Sequence, residues 1–452
     1  MNLTGADLLA LLPLLVLSAS VVVVMLVAAF YRRPRVVMSV ALLGLALSFA
    51  ALPLAATVVP RQVTPLLTID WFALFYMGLV FAATFAVTLL SWAYFNRGDP
   101  HHEALYILLL LAALGSAVLV ASSHFASFVL GLELLSVSLF ALIAYPREIE
   151  RPLEAGIKYL ILAGVSSAFL LFGMALIYAE LGSMQFTRIG ELVGNAGYGA
   201  FTLAGLALVL VGIGFKLALV PFHMWTPDVY EGAPAPVSAF VATVSKGAML
   251  ALLLRYFISA DGYRSQGVLL GLTLVAIASI LAGNLLALLQ DNVKRILAYS
   301  SIAHLGYMLI AFLAAGALAV EAVSYYLVAY FVTMLGAFGV VALLSPGGMQ
   351  ADTDALADYR GLFRRRPWLA SVFTAMLLSL AGIPLTMGFV AKFYVVTAGV
   401  GAALWLLVIV LVIGSAIGLF YYLRIIDAMY DPGPAGDSGA PHAPHAPHVA
   451  ST

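Results

Sequence analysis

The chain has 452 residues, 64% of them hydrophobic and 9% charged, with no cysteine and a formal net charge of zero. A soluble domain carries about 25% charged residues to cover its surface, so this composition, with a mean hydropathy of +1.08, excludes a water-soluble globule and describes an integral membrane protein. It also excludes disulfides and thiolate-held metal clusters, and the basic residues form no patch suited to nucleic acid.

The N-terminal stretch MNLTGADLLALLPLLVLSASVVVVMLVAAFYRRPR lacks a basic leader, and its apolar run outlasts that of a cleavable signal. It predicts a first span that starts outside the cytoplasm. Roughly 20 apolar residues cross a bilayer. Runs of that kind fall near 8–30, 38–58, 71–95, 104–122, 125–145, 156–181, 201–223, 236–258, 268–289, 296–315, 320–344, 368–400 and 402–426. The pattern predicts an all-α polytopic protein with about thirteen transmembrane helices. The glycines of VGIGFKL lie inside an apolar run and read as helix packing, and no P-loop or dinucleotide fingerprint appears. Pro221 interrupts the seventh run, and the twelfth is too long for one straight helix, with Pro384 between glycines in LAGIPLTMGF. Beyond Asp427 follows DPGPAGDSGAPHAPHAPHVAST, a Pro/Gly/Ala/His tail with nothing to bury, which reads as disordered. Its His442, His445 and His448 are a weak metal-binding tract at most, and no metal site is predicted.

Most basic residues, among them Arg32, Arg33, Arg35, Arg364, Arg365, Arg366 and Arg424 with Lys158 and Lys294, fall on one side of this topology. Arg61, Arg188, Arg255 and Arg264 fall on the other. The bias places the first set in the cytoplasm. Lys216, Lys246 and Lys392 remain, all inside apolar runs, together with Glu133 and His304. A charge near the bilayer centre costs about 2.5–3.5 kcal/mol even on the mildest scale, so such residues mark a pathway or a partner. Ion pairs locking helices together are the plainer reading, but three cations facing one deep acid do not pair off. A buried lysine whose carboxylate partner approaches and withdraws can take up and release a proton, and Glu133 is the expected partner of Lys216.

His304 has Ser300, Ser301 and Tyr307 on its own helix face, at i−4, i−3 and i+3. Ser136 and Thr243 stand likewise beside Glu133 and Lys246. His223 reads equally as a cap of the interrupted seventh helix or as a proton carrier, and His124 as a structural loop residue. Tyrosines and phenylalanines at helical spacing read as core and interface belts. Glu133 and Lys216 lie in the fifth and seventh runs, His304 and Lys392 in the tenth and twelfth, at nearly equal intervals. This predicts two five-span units, which an odd number of crossings makes inverted, and interrupted helices at matching positions point to a transport site. The expected organisation is an N-terminal three-helix segment (1–103), a first five-helix repeat (104–258), a second, inverted repeat (259–427) and the tail (428–452). Bent backbone near Pro221 and Pro384 is tolerable only where it faces protein or water. Together these features predict a hydrated proton path.

Four stretches, GFKLALVPFHMWTPDVYEGAPAPVSAFVATVSK, LGLELLSVSLFALIAY, NLLALLQDNVKRILAYSSIAHLGY and LSLAGIPLTMGFVAKFYV, resemble the antiporter-like subunit N family of proton-pumping NADH:quinone oxidoreductase, respiratory complex I. The resemblance runs from the first span to about Tyr430, and the TPDVYEGAPAPV loop is its most specific part. It implies inverted five-helix repeats with discontinuous helices seven and twelve, and proton-channel residues at Glu133, Lys216, Lys246, Lys392 and His304. It further implies a translocase subunit of the bacterial inner membrane without a cofactor of its own, flavin, iron–sulfur clusters and quinone being held elsewhere. The implied neighbours are subunits K and M and a lateral helix of subunit L. Members usually carry a further hydrophobic segment after SAIGLFYYLRIIDAMY, where this sequence has the tail. A Na⁺/H⁺ antiporter subunit and a purely structural membrane subunit are the alternative readings. The loop around Trp225–Val237 disfavours the former; the latter predicts that changing Lys216 or Lys392 alters assembly at most.

Overall fold

The computed structural model describes residues 4–97, 102–348 and 350–431; the tail histidines lie outside them. Twelve helices among the described residues are long and apolar enough to cross a membrane. Two shorter apolar helices, Pro367–Ala381 and Met387–Gly401, together take the place of the expected broken span. Helices begin where side chains can take up the orphan amides of a first turn. Asp70 accepts from Ala73 N at 2.8 Å ahead of Trp71–Phe95, and Asn292 from Arg295 N at 3.0 Å ahead of Val293–Ala314. The sixth span starts earlier than its hydropathy suggests, at Glu150, because Glu150, Arg151 and Glu154 form polar first turns on a helix that runs to Leu181.

Two helices are enclosed by the others over most of their length: Ala235–Ser259, carrying Lys246, and Val293–Ala314, carrying His304. The peripheral helices, such as Leu12–Tyr31, turn most of their surface outward. Close helix contacts use glycine. The Glu150–Leu181 and Ala200–Leu217 helices cross where a Cβ on Gly173 would stand 2.5 Å from Gly205 O, and one on Gly205 the same distance from Gly173 O. Gly212 of VGIGFKL presses on Leu170, with 2.7 Å between a notional Cβ and the leucine, so this glycine does serve helix packing.

Both expected interruptions exist. The Ala200–Leu217 helix ends at Ala218, in the left-handed region at φ 59°, and a cis Val220–Pro221 bond follows before Trp225–Gly232 resumes. The second ends at Gly382 (φ 82°) and resumes at Met387 after Leu385 (φ 74°). Three features lie outside the sequence expectations: a hairpin pairing Arg61–Thr64 with Leu67–Ile69, a short helix Phe186–Ala196, and a π-turn at Val241–Ser245 just before Lys246. Phe186–Ala196 buries Phe186, Ile189, Gly190 and Val193, an i, i+3, i+4, i+7 stripe too short to register as a span.

Candidate functional site: a buried row of ionisable and hydroxyl groups

Lys216, Lys246, Lys392 and His304 are all buried. Lys216 occupies the last turn before the first break and donates to Ser136 Oγ at 2.6 Å and Tyr159 Oη at 3.1 Å. Glu133, one turn from Ser136, is half-buried and accepts from Ser167 Oγ at 2.7 Å. Among the described residues no ion pair joins Glu133 to Lys216; the serine and the tyrosine hold the ammonium instead.

Aromatic rings fill the space between the first two lysines. Lys216 Nζ lies 5.0 Å from the Tyr159 ring centre, Tyr159 and Trp225 are 4.9 Å apart, and Lys246 Nζ lies 5.9 Å from Trp225 and 5.1 Å from Tyr230. Ring faces favour a cation while offering it no base. The Trp225 indole donates to Phe215 O at 2.9 Å, a carbonyl at the end of the broken helix that also accepts from Ala218 N at 3.0 Å.

Lys246 donates to Ser301 Oγ at 2.7 Å, which also meets the hydroxyls of Tyr330 at 2.7 Å and Tyr230 at 3.3 Å. Three residues along the same helix, His304 sits between two tyrosines, Nδ1 at 2.8 Å from Tyr326 Oη and Nε2 at 3.2 Å from Tyr422 Oη. Tyr422 continues to Ser300 Oγ, while Tyr307 Oη accepts from Asn284 at 2.9 Å and the same amide accepts from Tyr421 at 3.1 Å. A cavity of ≈ 10 Å³ beside His304 is lined by Tyr326, Tyr330, Ser379 and Leu380, about the room a single water needs.

Lys392 follows the second break but reaches back across it. Its ammonium donates to Leu380 O at 3.1 Å, Ala381 O at 2.8 Å and Ser415 Oγ at 2.7 Å, 5.3 Å from the Tyr307 ring. It caps the carbonyl end of the first half-helix, which Lys216 does not do at its own break. Pro221 and Pro384 are both exposed, each within its break. His223 lies in the first break, mostly buried, and no described hydrogen bond joins it to Lys216 or Lys246. Thr243 spends its hydroxyl on Ala239 O at 2.7 Å rather than on Lys246.

Tyr159, Tyr230, Tyr326, Tyr330 and Tyr422 are buried in the core, one of the two places the sequence reading gave them; beyond packing, they place hydroxyls or ring faces between the lysines and the histidine. Their signal was faint because they are spread over four helices, among phenylalanines and other tyrosines of similar spacing. Lys158 is ion-paired to Glu154 at 2.7 Å and Asp228 at 2.9 Å, beside a cleft of ≈ 160 Å³ lined also by Arg151 and Glu231. His124 caps Phe125–Ile143 by accepting from Ala126 N at 3.0 Å, the structural role expected of it. No cluster of metal-ligating side chains occurs among the described residues.

A family model described as "NADH:quinone oxidoreductase/Mrp antiporter, TM" matches residues 122–418, which contain Glu133, Lys216, Lys246, His304 and Lys392. NADH-quinone oxidoreductase subunit N of Nitrosospira multiformis is 66% identical over 441 residues, covering 95% of this chain and 87% of that protein. Among solved structures, respiratory complex I from Thermus thermophilus with bound aureothin matches at a TM-score of 0.80 and 33% identity, covering 92% of this chain and 90% of its own. The Mrp complex from Dietzia sp. matches at a TM-score of 0.82 over 97% of this chain and 85% of its own, with 22% identity, and so shares the fold. With its buried lysines, its two broken helices and these likenesses, the chain belongs to the NADH:quinone oxidoreductase/Mrp antiporter membrane family, in the branch of NADH-quinone oxidoreductase subunit N.

Proposed function

We propose that this chain is the proton-translocating, redox-silent membrane subunit of an NADH:quinone oxidoreductase, a translocase component in which Glu133, Lys216, Lys246, His304 and Lys392 hand protons along a buried row. The observation that carries the reading is the contact between Lys246 and Ser301. It joins a lysine of the first expected five-helix unit (104–258) to the helix that bears His304 in the second (259–427), within a web of exchangeable hydroxyls. Tyr330 extends the web towards His304, and the water-sized cavity lies between His304 and the carbonyl end that Lys392 holds. Hydroxyls and imidazole both give and accept protons; the Tyr159 hydroxyl meets Lys216, but no described hydrogen bond carries on from it past the Trp225 ring to Lys246, so that spacing is the step where a change of geometry or an intervening water must act.

On this reading flavin, iron–sulfur clusters and quinone belong to other subunits. The chain sits in a bacterial inner membrane against subunits K and M, with a lateral helix of subunit L along its side. Glu133 and Ser167, only half-buried on their faces, are placed to meet a neighbour. The TPDVYEGAPAPV loop and the 66% identity to a subunit N favour this over an Na⁺/H⁺ antiporter.

The test is NADH-driven acidification of inverted membrane vesicles with the native chain and with Lys216→Ala, following assembly and NADH oxidation on the same membranes. Acidification is expected to fall in a fully assembled complex. Native acidification and native oxidation together would refute the relay, and a sodium-tolerance defect alongside them would favour the antiporter.

A further inference from the structure

Lys294 is the one lysine of the enclosed helices that the relay leaves unused. By sequence it joins the cytoplasmic cations, yet its side chain is 1% exposed. Its ammonium donates to Glu231 O at 2.8 Å, Ala233 O at 2.6 Å and Asp352 Oδ2 at 2.6 Å, and an ammonium has three protons to give. Asp352 is itself buried, and its other oxygen accepts from Tyr94 Oη at 2.7 Å. The segment around Asp352 is stitched to the start of the same helix by Val293 N to Asp354 O at 2.7 Å and Leu356 N to Asp291 O at 2.8 Å.

What Lys294 holds is the carbonyl end of Trp225–Gly232. That helix has 8 residues, follows the first helix break, and is too short to persist without tertiary support. Its last carbonyls have no partners within the helix. Ser238 takes Tyr230 O at 2.9 Å and Lys294 takes Glu231 O, a cation at a helix C-terminus. Tyr230 precedes Glu231 directly. Its ring is 5.1 Å from Lys246 Nζ, and its hydroxyl is 3.3 Å from the Ser301 oxygen that receives the same ammonium. Lys294 and Ser301 stand two turns apart on one helix. The side chain that fixes the end of the short helix therefore also fixes the distance between Tyr230 and Ser301.

We propose that Lys294 is a positioning residue of the relay: by gripping the carbonyl end of Trp225–Gly232 it keeps Tyr230 against Lys246 and Ser301. It touches none of the proposed carriers and carries no proton itself. The inference rests on the relay reading above, and the variants below separate the two.

The experiment uses the assembled complex in inverted vesicles and reads acidification per NADH oxidised, a ratio that lower assembly alone does not move. Lys294→Met is expected to lower that ratio about ten-fold, and Tyr230→Leu to do the same. Because the first acts through the second, the double variant is expected to be no worse than either single one. A native ratio in assembled Lys294→Met, or losses that multiply in the double variant, would overturn the proposal. Should Lys294→Met fail to assemble, Asp352→Asn keeps an oxygen for Lys294 while removing the anchoring charge; it is expected to lower the ratio about three-fold, and a native ratio there overturns the proposal equally. Lys246→Ala is run alongside. If it keeps a native ratio, the relay reading itself fails; if it loses the ratio while Lys294→Met does not, only the positioning role falls.

Discussion

Ser301 carries more of the site than any other uncharged residue. Its oxygen stands within hydrogen-bond reach of Lys246, Tyr330 and Tyr230, and removing it strands buried groups, which costs about 1–3 kcal/mol for each one left unsatisfied. Ser301→Ala is therefore expected to leave NADH oxidation in place while acidification per NADH collapses; an unchanged ratio would show that the path bypasses this hydroxyl. A second residue reports on pH. Burial raises the Asp354 carboxyl above the usual range, against the hydrogen bond from Asn292 and the charge of Lys294, which lower it. A carboxyl raised by folding penalises the folded state once it ionises: the penalty is absent below the unfolded pKa of about 3.9, grows with pH up to the folded value, and is constant above it. Asp354→Asn is expected to unfold at a higher temperature than the native chain at neutral pH, with the gap narrowing on acidification. A gap that widens as pH falls would contradict this. The sequence exposed Ser301 by its spacing from His304 but gave no sign of Asp354's burial, because a loop's depth depends on what folds over it.

The two broken helices differ in how their ends are satisfied. At the second, Lys392 and Ser415 close the gap, and Gly388 approaches so near that a Cβ there would stand 1.7 Å from Ser379 O. Gly388→Ala must push the half-helices apart, and overpacking of that kind costs about 3 kcal/mol. The expected result is a less stable chain in detergent, with Lys392 drawn off Leu380 and Ala381; a native melting temperature would count against the tight break. Leu385, in the same turn, holds φ 74° with its side chain fully outside. Leu385→Gly is expected to stabilise the detergent-solubilised chain by about 1 kcal/mol, since it relieves the backbone and removes no internal packing. Pro384 between glycines made this break legible. The first break was harder to bound: Pro221 announced it, but hydropathy runs on to His223 whereas the helix ends at Leu217, because the left-handed turn falls on Ala218, a residue with no preference for it. The π-turn before Lys246 had no sequence signal at all.

At the scale of the whole molecule, hydropathy reported the spans well because lipid imposes one length on every helix. What it could not report is how helices are tied across the bundle. Arg255 is an example: placed at the outer side by sequence, it is 8% exposed, donates to Val120 O at 3.0 Å and forks onto both oxygens of Asp70 at 3.0 and 2.7 Å. One side chain thus clamps the Trp71–Phe95, Glu103–Ala121 and Ala235–Ser259 helices at one end. Because Asp70 is 28% exposed, Arg255→Leu is expected to cost about 2 kcal/mol, less than a fully buried pair would, and to open the N-terminal helices to proteolysis first. Cleavage no faster than in the native chain would show that the clamp is dispensable.

Glu133, Lys246 and His304 each fall near the middle of their helices, and Lys216 and Lys392 flank the breaks that interrupt theirs. On the proposed relay, these mid-helix and break-side positions set the row sideways through the bilayer. A membrane voltage does work on a charge only as it moves along the normal, about 2.3 kcal/mol per 100 mV for a full crossing. On that relay, hand-offs along the row would be nearly blind to a membrane potential. The electrical load would then fall on the few steps that join its ends to water on either side, so a charged membrane is expected to slow loading and release while leaving the lateral transfers at their own pace.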